Sequence, residues 1–311
     1  MSNHFEDTVE KMAGPIVPVL PAFGDDGSLD LESTCGWIEW LIENGMKSFW
    51  TTGGTTHYFC LTDDEIYTLT KAIAQTIGDR AVFIASINWH WPVHKARDFI
   101  EFAHGCGVDV VKVMLDCRYN PSDEGIVKCY RDIAKDSPLP LLAYTLAPNK
   151  LSYDVFRQVM AIPQYVGMKN DADDYYMNCQ YLKEAREFGR EDFLVITGGT
   201  MSAFLHGHNF GQKYYADVVA MYSPSKSLEC YEHIMSGDIE AATQIIKEYE
   251  EPIMRAGLAR PMGHWTLYHT ILKVKGLFAS NNVRYPQRRI VGDLKAQMSE
   301  CVPKRDLEKV K

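Results

Sequence analysis

Leu139-Pro140-Leu141-Leu142-Ala143-Tyr144 and Tyr165-Val166-Gly167-Met168-Lys169 are two short apolar runs separated by one helix-length segment. Short runs bounded by Pro and Gly favour strand over helix, and the segment between them, Ser152 to Met160, has helix-compatible spacing. The stretch therefore predicts a βαβ unit whose neighbouring parallel strands end in Tyr144 and Lys169. In barrels and open α/β sheets that carboxyl end is where the chemistry is placed. Two readings of Lys169 follow. Most strand-end lysines simply reach solvent. A buried one, whose charged form burial disfavours, can instead attack a ketone as the free amine and form a Schiff base. Tyr144 strengthens the second reading, because a phenol beside that amine can carry protons to and from the carbinolamine.

The same alternation extends in both directions. Apolar runs at Pro15–Pro21, Lys47–Thr51, Ala81–Ser86 and Val108–Met114 precede the central unit, and Phe193–Thr197 and Tyr214–Met221 follow it. Helical segments are predicted over Asp30–Asn44, from Thr62, over Pro92–Gly105 and Asp123–Lys135, then over Asp173–Phe188 and Met201–Asn209. Thr62 with Glu65 three residues on has the form of a capping box, and Asp173 and Asp174 are expected to cap the helix they open. Eight βα units in about 220 residues favour an α/β fold of the closed (β/α)8 TIM-barrel type over an open doubly wound sheet. No Gly-rich dinucleotide fingerprint follows the first strand. The barrel is assigned to residues 12–224 and a C-terminal helical extension packed on it to 225–302, with helices at Ile239–Glu250, Trp265–Phe278 and Gly292–Met298. Residues 303–311 are expected to form a charged, frayed tail.

Composition bounds the function. The 311 residues are 46% hydrophobic and 23% charged, ordinary for a globular enzyme. No apolar stretch is long enough for a membrane span and Met1–Lys11 is polar and acidic, so no membrane partner and a cytoplasmic location are expected. A net charge of −9 without Lys/Arg runs argues against a nucleic-acid partner. The eight cysteines contain no C-x-x-C pair and are expected to be free thiols in a reducing compartment. His206-Gly207-His208 has too few companions for a metal site.

Taken together, these residues resemble the dihydrodipicolinate synthase and N-acetylneuraminate lyase family, from Gly14-Pro15 to Val283-Arg284-Tyr285-Pro286. Within it, Gly53-Gly54-Thr55-Thr56-His57-Tyr58-Phe59-Cys60-Leu61-Thr62 is similar to the GGTGEFFSLT stretch of 5-dehydro-4-deoxyglucarate dehydratases. The seven-residue step from Tyr144 to Leu151 and the Lys169-Asn170-Asp171 stretch, standing where that branch has KDG, agree with it. The resemblance implies a (β/α)8 lyase with a lysine Schiff base, acting on a 2-keto acid, most naturally a 2-keto-3-deoxy sugar acid, without metal or organic cofactor. It also implies a homo-oligomer, commonly a tetramer. The departures are specific. Thr56-His57 replaces Gly-Glu, Thr145 replaces an asparagine, and Asp116-Cys117-Arg118-Tyr119 stands where the synthases carry a second tyrosine, which argues against lysine-precursor synthesis.

Lys169 and Tyr144 are thus the catalytic candidates. Gly53 and Gly54 allow close backbone approach to a carboxylate, to which Thr55 and Thr56 add hydroxyls; an ordinary tight turn is the plainer reading. His57 is a candidate acid or base in place of the absent glutamate, or a structural histidine. Arg118 and Lys150 could hold a second carboxylate or be solvated rim charges, and Gly198-Gly199 resembles a second substrate-lining loop. Asn88-Trp89-His90-Trp91 places two tryptophans at the barrel mouth, for packing or for contact with substrate. Dehydration and retro-aldol cleavage remain open, as does a keto-acid-binding protein without turnover, since one imine serves both reactions and the distal side chains choose.

Overall fold

The structure, a computed structural model, describes residues 8, 11–12, 14–115, 121–146, 150–171, 175–259 and 265–310. Nine short strands are described: β1 (Val17–Pro18), β2 (Ala22–Phe23), β3 (Leu29–Asp30), β4 (Ser48–Trp50), β5 (Val82–Ser86), β6 (Val110–Val113), β7 (Leu141–Leu146), β8 (Tyr165–Asp171) and β9 (Leu194–Thr197). Seven form one parallel sheet in the order β1-β4-β5-β6-β7-β8-β9, and β2 and β3 make a separate antiparallel hairpin. Each successive strand of the large sheet joins beside its predecessor, which is the topology of a TIM-barrel-like α/β fold.

The eighth position differs from expectation. Of Tyr214–Met221, only Tyr215 and Ala216 pair, each through one isolated bridge, Tyr215 to Thr197 on one edge and Ala216 to Ile16 on the other. The Ile16 amide donates to the Tyr215 carbonyl at 2.8 Å, and the Ala216 amide to Thr197 at 2.9 Å. The strand stops there because the buried Asp217 carboxylate accepts from the Val219 amide at 2.8 Å and turns the chain into a 3-10 turn at Val219–Met221.

Strand alternation divides the core into two layers. Ile16, Trp50, Val82, Ile84, Val110, Leu142, Leu194 and Ile196 fill the space enclosed by the sheet. Phe49, Phe83, Ala85, Val111, Leu141 and Ala143 point outward against the helices. The helices start where local chemistry allows. Thr62 Oγ1 accepts from the Glu65 amide and Glu65 returns a bond to the Thr62 amide at 2.9 Å, completing the capping box of Asp63–Ile77. Asp30, Ser122 and Ser152 cap Leu31–Glu43, Asp123–Ala134 and Tyr153–Met160.

The C-terminal third holds an additional helix, Pro224–Ser236, with Pro in its first turn, which Ser223 and Gly237 delimit. A π-helical turn, Ile246–Glu250, joins Ile239–Ile245 to Glu251–Ala259. Residues 303–310 are not frayed. Leu307 is buried, Asp306 accepts from Ser223 Oγ at 2.9 Å and Tyr249 Oη at 3.0 Å, and the Val310 amide reaches the Lys275 carbonyl. Arg284, in the stretch that carried the C-terminal resemblance, is a clamp. It holds Glu65 with two bonds of 2.6 and 2.7 Å and donates to the Gly27 and Cys60 carbonyls. No helix among the described residues is long and apolar enough to cross a membrane.

Candidate active site

Tyr144 on β7 and Lys169 on β8 are direct register partners, as the two apolar runs predict. Because residues two apart in a strand share a face, Asp171 joins them. Its Oδ2 accepts the Tyr144 hydroxyl at 2.7 Å and forms an ion pair with Lys169 Nζ. Asn170, between them, faces the other way and donates to Asn178 at 3.3 Å. Lys169 is only 5% exposed, and its ammonium lies over the rings of Tyr144 and Trp50 at 4.7 and 5.2 Å.

Burial alone would raise the Asp171 carboxyl. The Lys169 charge and hydrogen bond, the Tyr144 hydroxyl and the more distant Lys112 outweigh it and hold the group below the ordinary aspartate value. Lys112, on β6, is a second lysine inside the sheet. Its Nζ donates to the Thr51 carbonyl at 2.9 Å and lies 4.1 Å from the Trp50 ring centre. Burial first, then the like charge of Lys169, pushes it well below an ordinary lysine, against the pull of Asp171.

Tyr144, Lys169 and Asp171, but not Lys112, line a cavity of about 520 Å³ at the carboxyl ends of the strands. Gly53, Gly54 and Thr55 line it after β4, Trp89 after β5, Met114 after β6, and Gly198, Gly199 and Thr200 after β9. A side chain at 54 would come within 3.1 Å of Trp265, and a Cβ at 198 would lie 1.6 Å from Asp171 Oδ1. Glycine at 198 is therefore a condition for the carboxylate at 171. Met254 and Trp265 complete the wall from the C-terminal helices. The lining is mainly apolar with a few convergent polar groups, the usual character of a small-molecule site.

The candidates thus divide. Tyr144, Lys169, Gly54, Thr55, Gly198 and Gly199 meet at the cavity. Thr56 and His57 are not among its lining residues, and both fit the structural alternative that the sequence left open. Thr56 Oγ1 accepts from the Thr52 amide and donates to the Val19 carbonyl, both at 2.8 Å, so its hydroxyl closes the turn. His57 has a left-handed φ of 58° and turns its ring beneath the loop, fully buried. The ring lies among Phe23, Phe59, Trp265 and His269, 5.1 Å from the last, and neither nitrogen has a hydrogen-bond partner among the described residues. Burial, then the His269 charge, holds its pKa well below the ordinary histidine value, and burial lowers His269 to about 4. Lys150 is not among the residues lining the cavity. Arg118, Asp173 and Asp174 lie outside the described residues.

The two tryptophans also part company. Trp89 lines the cavity, whereas Trp91 packs on Tyr67 and Phe99 and donates to Asp63 at 2.8 Å. Sequence reasoning gave no role to Asp171, Lys112, Met254 or Trp265. Strand parity could have found the first two. Nothing local marks the last two.

The family model described as "Dihydrodipicolinate synthetase family" matches residues 11–304. The chain belongs to this family, whose members are lyases and synthases. A 4-hydroxy-tetrahydrodipicolinate synthase of Laribacter hongkongensis is 24% identical over 241 residues, covering 75% of this chain and 79% of the relative. A probable 5-dehydro-4-deoxyglucarate dehydratase 2 of Streptomyces avermitilis is 24% identical over 238 residues, covering 76% and 70%. Among solved structures, a sialic acid aldolase of Ruminococcus gnavus superposes with a TM-score of 0.85 at 17% identity, covering 96% of this chain and 97% of that one. That likeness concerns the fold.

Proposed function

We propose that this protein is a Schiff-base lyase acting on a 2-keto acid, with Lys169 as the nucleophile and Tyr144 as its proton carrier. The observation that carries the reading is the pairing of Tyr144 with Lys169 across adjacent strands at the base of the cavity, joined by Asp171. The amine attacks C2 of the keto acid, Tyr144 protonates the departing oxygen, and water leaves to give the iminium. That cation is an electron sink: the C3 proton becomes acidic and a group on C4 can depart. The backbone at Gly54 and Thr55, with the Thr55 hydroxyl, is the proposed cradle for the substrate carboxylate, and Gly198-Gly199 is the opposite edge.

For the substrate we infer a 2-keto-3-deoxy sugar acid that loses water, in line with the name of the Streptomyces relative. The barrel is inferred to complete its eighth position at the Tyr215–Ala216 seam, and a homotetramer is the assembly to seek by light scattering.

Incubation with pyruvate and longer 2-keto acids, followed by borohydride and intact-mass measurement, tests the chemistry. A covalent increment mapped to Lys169 is expected, and the acid trapped best identifies the substrate for turnover assays. Folded protein that gains no mass with any acid would sink the lyase reading in favour of a barrel that only binds keto acids.

A further inference from the structure

We propose that Asp171 is the catalytic base of this site, taking the proton from C3 of the lysine-bound substrate and returning it to the leaving oxygen at C4. The inference rests on the Schiff-base reading above and adds to it a residue that neither Lys169 nor Tyr144 can replace.

Three observations support it. First, Asp171 reaches the reacting atom: its Oδ2 is paired with Lys169 Nζ. In the imine that nitrogen is bonded to C2, and C3 is one bond further, so a carboxylate in contact with the nitrogen is within range of the C3 proton. Second, Tyr144 is spoken for as a donor, because its hydroxyl gives its proton to this same carboxylate at 2.7 Å. A phenol donating in this way can protonate an oxygen, whereas removing a carbon-bound proton needs a free acceptor, which the carboxylate supplies. Third, the site is built around the group. Asp171 lines the cavity with its side chain 27% exposed, and Gly198 leaves the space its Oδ1 occupies. The lysines and the tyrosine hold it ionised at neutral pH.

The step balances as follows. The C3–H bond breaks and its proton goes to Asp171. The electron pair forms C2=C3 while the C2=N pair moves to nitrogen. In the second half the nitrogen pair restores C2=N, C3=C4 forms, and the C4–O bond breaks with the Asp171 proton leaving on the oxygen as water. The carboxylate ends as it began.

Pyruvate in D2O separates this step from imine formation, since its methyl group is the C3 position and has nothing at C4 to lose. Wild-type protein is expected to form the borohydride-trapped adduct at Lys169 and to exchange the methyl protons for deuterium, followed by NMR. Asp171→Asn should still be trapped after long incubation but exchange about 10²-fold more slowly or worse. Gly198→Ala, which displaces the carboxylate without altering it, should show the same split to a smaller degree. Circular dichroism and thermal melting establish that each variant is folded. Exchange by Asp171→Asn within a few-fold of wild type would overturn the proposal. So would a folded Asp171→Asn protein that is never trapped, since the carboxylate would then serve the amine alone. Wild-type protein that traps no keto acid fails before any variant is made. That result removes the Schiff-base reading itself, and this proposal with it.

Discussion

Two clusters of buried titratable groups lie within one loop of each other, and they have opposite characters. At the base of the cavity, Lys169, Tyr144 and Asp171 are each other's partners, with Lys112 behind them bonded to Thr51. Beneath the Gly53–His57 turn, His57 and His269 face one another at 5.1 Å among aromatic rings, and His57 has no hydrogen-bond partner among the described residues. Burial disfavours charge in both places. In the first, the Asp171 carboxylate stands against Lys169 and is held below the ordinary aspartate value, and Tyr144, Lys169 and Asp171 stay open to the cavity. In the second, burial dominates: it outweighs the His269 hydrogen bonds to the Pro21 and Trp265 carbonyls, and both imidazoles are held below the ordinary histidine value. Depth in the fold therefore does not mark a reactive group. A matched partner and an open face do.

The largest effect should come from breaking the first cluster at its centre. Lys169→Ala is expected to remove borohydride trapping and turnover completely while the melting temperature stays within the range of a folded protein. Tyr144→Phe follows, with imine formation slowed by about 10²-fold when trapping is timed; an unchanged rate would reduce the phenol to packing.

The second cluster should answer in stability. His57→Glu puts an acid into a sealed aromatic pocket and should cost about 3–5 kcal/mol in denaturant unfolding, because a carboxylate there would lose its water among the rings of Phe23, Phe59, Trp265 and His269. His57→Leu sharpens the contrast. It keeps the apolar contacts, and pyruvate exchange should remain within about three-fold of wild type, below the ~10²-fold expected of a lost acid or base. A larger loss would bring His57 back into the chemistry.

A smaller effect links the clusters to pH. His57 and His269 have lowered values, so their contribution to stability is present above about pH 6.5 and is lost as pH falls below it. Two buried acids act in the opposite sense. Burial raises Asp217 to about 6 and Glu250 to about 7, so their contribution is present at low pH and is lost as pH rises through those values. Glu250 caps Met201–His208 through the Met201 and Ser202 amides. Near pH 5 to 6 the two pairs offset each other. Glu250→Gln should uncover the histidines, its unfolding free energy falling by about 1.4 kcal/mol per pH unit more steeply on acidification than wild type. Parallel curves for the two proteins would show that Glu250 does not carry this proton.

Legibility followed the range of the interactions. Strands β4 to β9 lie within the apolar runs or within two residues of their ends, because period, Pro, Gly and capping residues act over a few positions. The eighth strand was misjudged because Asp217 is satisfied by an amide two residues on, which ends the pairing. Helix Pro224–Ser236 was missed although Pro224 and Gly237 marked its ends. Tyr144 opposite Lys169 was readable because one crossover connects consecutive strands. Asp171 was also readable by parity, but its role depends on Gly198, 27 residues away, leaving room for it.

By itself, then, the sequence determined the alternating α/β architecture and the lysine and tyrosine at the strand ends, which follow from local periodicity and short-range order, while the family was read from the resemblance of its motifs. Tertiary structure alone decided that His57 is sealed and Thr56 spent on Val19, that Met254 and Trp265 return from the C-terminal helices to wall the cavity, and that residues 303–310 dock on Ser223, Tyr249 and Lys275. Those outcomes depend on which surfaces meet when the layers pack. A side chain's partner can lie two hundred residues away, where no local pattern records it.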